Sequence, residues 1–378
     1  MTNYTEQPFQ FLKRKQGKSD ADTNKVFSPA IIENWYKARA FILQKLNNES
    51  FEPESDKLLH WVVLGDSPLM LSVARQIALS AHFVKYYDRH TLITIVSQKD
   101  NIKEELEKEE FLCNLPQLCK SVIYGVEDHK DSYIDIDLQV VKRWEAHGNK
   151  GYIEIREEEV DTFCQSHEYD KIDTRKAVFA SRIYDLGSLI SNVPYEDFHD
   201  THRYSQAIDA FQYIQLEKPW KSLINKDNQD DLTKVKEALS NIFCADCFET
   251  REKEIEAMKK ADIDRSSDEK EKKKIRKENY WEKHIEALSK SEHARWVAEK
   301  LIMGYRPLNS EERIKDERIM GSKKLKEHRK RLKSNPKNPV HIDLCSYDDL
   351  RRIDPDNMRY DSFLMLSIPE ILKRCSLK

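Results

Sequence analysis

The stretch from Leu58 to Val96 limits what this chain can fold into more than any other. Leu58–Leu64 (LLHWVVL) is an unbroken apolar run of strand length, the pattern of a strand buried on both faces. Gly65-Asp66-Ser67-Pro68 turns the chain. Leu69–Phe83 (LMLSVARQIALSAHF) then carries apolar residues at helical spacing, and Thr91–Val96 (TLITIV) is a second, β-branched strand. Strand, helix and strand in that order form a crossover unit, which makes the two strands parallel and lays the helix on the sheet face. The fold class is therefore α/β, with a parallel sheet in its first half. Ser121–Tyr124, Ile134–Val141, Tyr152–Ile155 and Lys176–Phe179 are candidates for further strands, followed by a helix over Arg182–Ile190.

The flanks read as helical. Ser28-Pro29 pairs a capping hydroxyl with a proline at the first helical position. Ile31, Trp35, Ala38 and Ile42 then mark one face of a helix that ends near Asn47-Asn48. Residues 1–24 are polar and aperiodic, which predicts disorder. Residues 195–250 predict helices over Tyr204–Leu216 and Asp231–Phe248. Residues 249–279 are nearly all charged and read as a solvated helix or linker. The divisions are thus a disordered N-terminus (1–24), a helix (25–50), a sheet domain (51–194), a helical connector with a charged linker (195–274) and a mostly helical domain (275–378). Residues 310–337 form an exposed insertion; from 315 onward it holds ten Lys or Arg against three acidic residues.

Composition narrows the function classes. Lys and Arg number 64 against 67 Asp and Glu, a formal charge of −3, so a bulk binder of nucleic acid is not expected. Eight glycines in 378 residues leave little room for a glycine-rich phosphate loop or a β-barrel. Seven scattered cysteines and no signal-like or membrane-spanning apolar run predict a cytoplasmic chain without a disulfide framework. Cys244-Ala245-Asp246-Cys247 lacks the second pair that zinc would require, and His199 and His202 have no visible third ligand. No metal site is predicted. No nucleophile motif accompanies Glu292 and His293, so no catalytic residue is assigned.

The turn at Gly65 invites comparison with a dinucleotide fingerprint, in which three glycines make the turn, admit the pyrophosphate and pack helix on strand. Gly65, Ser67 and Met70 hold those positions, so only the first glycine is kept. Ser97 and Gln98 stand where an acidic residue would bond the ribose. Residues 57–190 resemble the Rossmann-like domain that regulates prokaryotic potassium transport and channels. That resemblance implies a nucleotide crevice at Gly65, Asp66, Ser67 and Ser97, although the missing glycines and acid argue against NAD. A nucleotide is the one cofactor the reading admits.

Ser291–Arg306 (SEHARWVAEKLIMGYR) is the most informative segment of the second half. Glu292, His293, Trp296, Gly304 and Tyr305, then His341–Leu350 (HIDLCSYDDL), then Tyr360-Asp361 with Leu366–Leu372 (LSIPEIL), resemble in order the three blocks of a ryanodine-receptor-type (RyR) repeat domain. Ser362 and the 310–337 insertion depart from the pattern. Phe198–Leu216, with Arg203, Ser205 and Ala207, resembles the helix that precedes the repeat in prokaryotic proteins that join it to a Rossmann-like domain. The resemblance implies a mostly helical domain with a ligand site at His293, Trp296, Tyr305, Arg306, His341, Tyr347 and Asp361. Aromatics beside Arg, Asp and His suit a flat polar ligand; the other reading of His293 and Trp296 is packing alone. The expected function is a ligand-sensing regulatory or effector protein of a prokaryotic defence or transport system, working as a homo-oligomer and binding a small, nucleotide-derived molecule. The alternatives are a nucleotide-dependent enzyme using the Gly65–Ser67 crevice and an interaction subunit without ligand.

Overall fold

Gly65 and Ser67 start the core unit as the sequence predicts. In this computed structural model, which describes residues 5–6, 29–49, 57–87, 91–97, 134–140, 152–190, 232–335 and 339–376, a short 3-10 turn leads into strand β2 (His60–Leu64). Helix α2 (Pro68–Ser80) follows, with Ser67 as its cap and Pro68 at its first turn. Strand β3 (Thr91–Ser97) pairs parallel with β2, Trp61 opposite Ile93. β4 (Ile134–Val140) extends the sheet beside β3, and β5 (Ile153–Arg156) lies on the other side of β2. All four strands are parallel, in the order β4-β3-β2-β5. Separately, β1 (Thr5–Glu6) pairs antiparallel with β6 (Ile172–Asp173). Those two N-terminal residues are therefore strand rather than disordered.

Lys176–Phe179 is not a strand. It lies inside helix α4 (Arg175–Ile190). Asp173 decides the matter: its carboxylate accepts from the Arg175 backbone N–H at 3.0 Å, which caps the first turn. A short apolar run such as Ala-Val-Phe-Ala fits either state. The preceding helix α3 (Glu157–Ser166) was not anticipated, because Val160 is its one buried residue. Helix α1 (Pro29–Asn48) runs as predicted, burying Trp35, Ala38 and Ile42. Ser121–Tyr124, His199, His202 and the Tyr204–Leu216 helix with Arg203, Ser205 and Ala207 lie outside the described residues.

The remainder is helical. The expected Asp231–Phe248 helix divides at a turn into α5 (Leu232–Ala245) and α6 (Phe248–Arg265). The charged 249–279 stretch is α6 followed by α7 (Glu269–Lys277). It is more than a solvated linker, because the first two turns of α6 bury Arg251, Glu254 and Ile255. Glu254 accepts from the Val84 backbone N–H at 2.8 Å, and Arg251 donates to the His82 carbonyl. These bonds tie α6 to the end of α2's connection. Burial pushes the Glu254 carboxyl up to about 7 even though Arg251 opposes it.

Next come α8 (Tyr280–Lys283), α9 (Ile285–Ile302), α10 (Ser310–Glu317), α11 (Ser322–Lys333), α12 (Tyr347–Ile353) and α13 (Pro355–Ser376). A break at His284 puts Trp281 on α8 and Trp296 on α9. Helix α13 continues through Pro369. Gly304, at φ +93, ends α9, and the Tyr305 N–H reaches back to the Lys300 carbonyl at 2.9 Å. A single apolar core joins Ile42 of α1, Ile77 of α2, Phe243 of α5, Leu288 of α9 and Phe363 of α13. Among the described residues no helix is long and apolar enough to cross a membrane.

Candidate functional site

Helix α9 places two of the residues singled out in the second half, His293 and Trp296, with Glu292 beside them. Its charge is the first thing the fold has to resolve. Glu292, Arg295 and Glu299 are all buried, at spacings of three and four that put them on one face. Arg295 bonds Glu292 through Nε and Nη2, at 2.9 and 2.8 Å to Oε1, and Glu299 through Nη1 at 2.7 Å. Lys300 closes the ladder on Glu299 at 2.8 Å and on the Ser240 hydroxyl at 3.1 Å. Burial opposes ionisation of both carboxyls. At Glu299, Lys300 and Arg295 outweigh it and the pKa falls; at Glu292 burial prevails and the pKa rises. The ladder neutralises itself, so α9 can be buried on several sides.

Beside the ladder, a row of rings crosses from α9 to the 341–347 segment. Tyr347 meets His293 edge-on at 5.7 Å, His293 stacks on Trp296 at 5.9 Å, Trp296 meets His341 edge-on at 4.8 Å, and His341 meets Tyr305 at 6.0 Å. Asp361 of α13 faces His293 Nδ1 at 3.5 Å. Six of the seven residues expected to line a ligand site in this half are thus gathered in one cluster. Trp296 and His341 are its half-buried members, while His293, Tyr305, Tyr347 and Asp361 are buried. Two ammonium groups flank the row: Lys300 lies 5.5 Å from the Trp296 ring centre and Lys236 5.5 Å from that of Tyr305.

Arg306 is the exception. Its guanidinium is held by Glu312, Nη1 at 2.6 Å and Nη2 at 2.7 Å, and the pairing pulls Glu312 down to about 2. Glu312 also completes a capping box with Asn309 at the start of α10. Arg306 therefore anchors the insertion, and it is the Arg306 backbone that bonds the 339–341 segment.

The protons of the cluster follow from its partners. His293 Nε2 lies 2.9 Å from the Cys345 carbonyl, which only accepts, so Nε2 carries hydrogen. Its Nδ1 is the ring nitrogen that faces Asp361. Burial disfavours a charged ring, but Asp361 and the Cys345 carbonyl outweigh it and raise the His293 pKa. His341 behaves oppositely. Burial, with Lys333 and Lys300 nearby, holds its pKa well below the usual histidine value. Its Nδ1 accepts from the Asp343 backbone N–H at 3.4 Å, leaving Nε2–H as the donor.

Asp343, which the sequence reading did not single out, belongs to the same cluster. It is buried, accepts from Asn357 Nδ2 at 2.8 Å and is pushed up to about 6 by burial and by Asp354. It lies in the second matched block, so its acidity beside His341 was a readable signal. Lys236 was not readable, since it comes from α5, far away in sequence.

The residues of the first half form a separate place. Gly65 takes φ +125 and donates its N–H to the Val96 carbonyl at 2.9 Å; Asp66 follows in the turn, and Ser97 ends β3. Ser67 caps α2 through the Met70 N–H at 3.3 Å and donates its own hydroxyl to Glu157 Oε1 at 2.8 Å. β2 and β5 are sheet neighbours but not sequence neighbours, so Gly65–Ser67 and Glu157 meet at the carboxyl edge of the sheet. A protein carboxylate thus lies where the positive end of α2 would attract a phosphate. A side chain at Gly65 would also meet Met70 Cγ at 3.4 Å.

Cys244 and Cys247 are buried at the α5–α6 turn. Burial holds the Cys247 thiol at about 12, which leaves it a thiol rather than a reactive thiolate. Among the described residues no group of His, Cys, Asp or Glu is arranged to hold a metal. Compared with known proteins, the chain matches no protein-family model, no curated sequence and no solved structure.

Proposed function

We propose that this chain is a ligand-sensing regulatory protein whose ligand docks at the half-buried Trp296–His341 edge of the ring row. One observation carries the reading: residues from two of three separated sequence blocks, chosen for their resemblance to an RyR-type domain, converge on one continuous set of ring contacts, and Asp361 of the third faces His293. A flat ring can stack or pack at Trp296, while the Lys236 ammonium near Tyr305 favours a ligand that also bears negative charge. A nucleotide-derived molecule combines both features. The neutral His341 supplies an Nε2–H donor.

The sheet unit is read as Rossmann-like within the same proposal. Counted from β2, the strand order is third, second, first, fourth, as in the first four strands of that fold. Glu157 on Ser67 weighs against a phosphate in this crevice, so the unit is assigned a supporting role rather than a second nucleotide site or a catalytic one.

The test is calorimetry of the full chain against a panel of linear and cyclic nucleotides. The full chain is needed because α9 and α13 share one core with α1, α2 and α5. One or more members should bind, Trp296→Ala should weaken binding at least tenfold, and Ser67→Ala should leave it unchanged. If no member binds, or if Ser67→Ala abolishes binding while Trp296→Ala does not, the assignment fails.

A further inference from the structure

Helix α11 presents a charge pattern unlike that of its neighbours. Its twelve residues, Ser322–Lys333, hold seven cations and one carboxylate, Glu327. One side is docked. Arg329 reaches Asp316 of α10 at 2.8 Å and Asp354 at 3.5 Å, and the Leu332 carbonyl accepts from the Val340 N–H at 3.1 Å. The other side faces solvent. Lys323, Lys324, Lys326, Lys330 and Arg331 are exposed, and none of the five makes an ion pair among the described residues. At about 3.6 residues per turn they cover one half of the helix surface.

A second, independent feature sits beside this face. Met320, in the turn that leads into α11, is 85% exposed, and Ile314 of α10 is 48% exposed. Only three large apolar side chains are that open among the described residues, and these are two of them. Exposed apolar side chains next to a cationic helix gain nothing from a phosphate backbone. They do gain from the headgroup boundary of a bilayer, where apolar groups leave water and basic residues meet anionic lipid. Residues 310–335 also contain no Phe, Tyr or Trp on which nucleic-acid bases could stack. The net charge of −3 for the whole chain gives no general attraction to an anionic surface, so a local cationic face would orient the protein on it.

We infer that the α10–α11 insertion is a peripheral docking surface for anionic phospholipid membranes, with Met320 as its apolar contact and the exposed face of α11 as its electrostatic one. The experiment is co-sedimentation of the full chain with phosphatidylcholine vesicles, with and without about one third phosphatidylserine. Three lysines are reversed together, as K323E/K326E/K330E, and compared with K270E/K273E/K274E on α7, which changes net charge equally. The wild type should pellet with the anionic vesicles only, and more weakly as salt rises. The α11 reversal should cut binding at least tenfold, Met320→Asp several-fold, and the α7 reversal less than twofold. Three results would overturn the inference: equal binding to both vesicle types or to neither, equal loss from the two reversals, or binding of duplex DNA in place of vesicles.

Discussion

Helices α9 and α11 are both dense in charge, yet they end on opposite sides of the solvent boundary. In α9 the signs alternate at helical spacing, Glu292, Arg295 and Glu299, so the side chains satisfy one another and are buried. In α11 the cations follow one another with a single glutamate between them, and most of its face stays in water. Mean hydropathy already ranks α11 as far more polar than α9. How α9 buries its charges follows from the order of the signs along the helix, because a buried charge needs an opposite partner within reach and a run of like charges cannot provide one.

That contrast breaks first, if it breaks, at Arg295. Arg295→Met leaves two carboxylates buried without their cation and should cost about 3–5 kcal/mol in chemical denaturation; a loss below about 1 kcal/mol would mean the ladder contributes little to burying α9. The pH dependence of the other buried pair comes next. The folded carboxyl of Glu254 titrates at about 7 against 4.5 for an ordinary glutamate, so the folded state binds that proton more tightly. Its contribution is fully present below about pH 4.5 and is lost as pH rises toward 7. Thermal melts across that window should show Tm falling in the wild type and falling less in Glu254→Gln; parallel curves would contradict the assignment.

The end of α9 sharpens the comparison on a smaller scale. Gly304 sits in the left-handed region at φ +93, and Gly304→Ala should cost about 1–2 kcal/mol by the same denaturation assay. The smallest effect is expected on α11. Reversing Lys323, Lys326 and Lys330 should move stability by no more than about 0.5 kcal/mol, since these side chains are exposed and make no ion pair among the described residues. A larger loss would show that the exposed face helps to hold the fold.

Much of the first half was legible because its signals are local. The β2–α2–β3 unit follows from an apolar run, a capped turn and a β-branched run, and Ser67-Pro68 marks the helix start without help from elsewhere. Lys176–Phe179 was misread because the residue that decides it, Asp173, acts through one backbone bond just outside the segment. The ring row was legible from two blocks and its Asp361 partner from the third, but the approach of Lys236 to Tyr305 depends on tertiary placement. Arg306 was assigned to the ligand although the Asn309-to-Glu312 capping box announced a competing partner six residues on. Glu157, which occupies the carboxyl edge of the sheet, comes from ninety positions after Ser67, and no local pattern points to it.

The ring row is the centre of the account, and Trp296 reports on it directly. Titrating the full chain with the nucleotide panel while following heat and tryptophan emission tests it most sharply, with Trp296→Phe as the control for the optical signal. The account predicts saturable heat with at least one nucleotide, an emission change absent from Trp296→Phe, and at least tenfold weaker binding in Trp296→Ala. Saturable binding that is indifferent to Trp296, or no heat with any member of the panel, would contradict it.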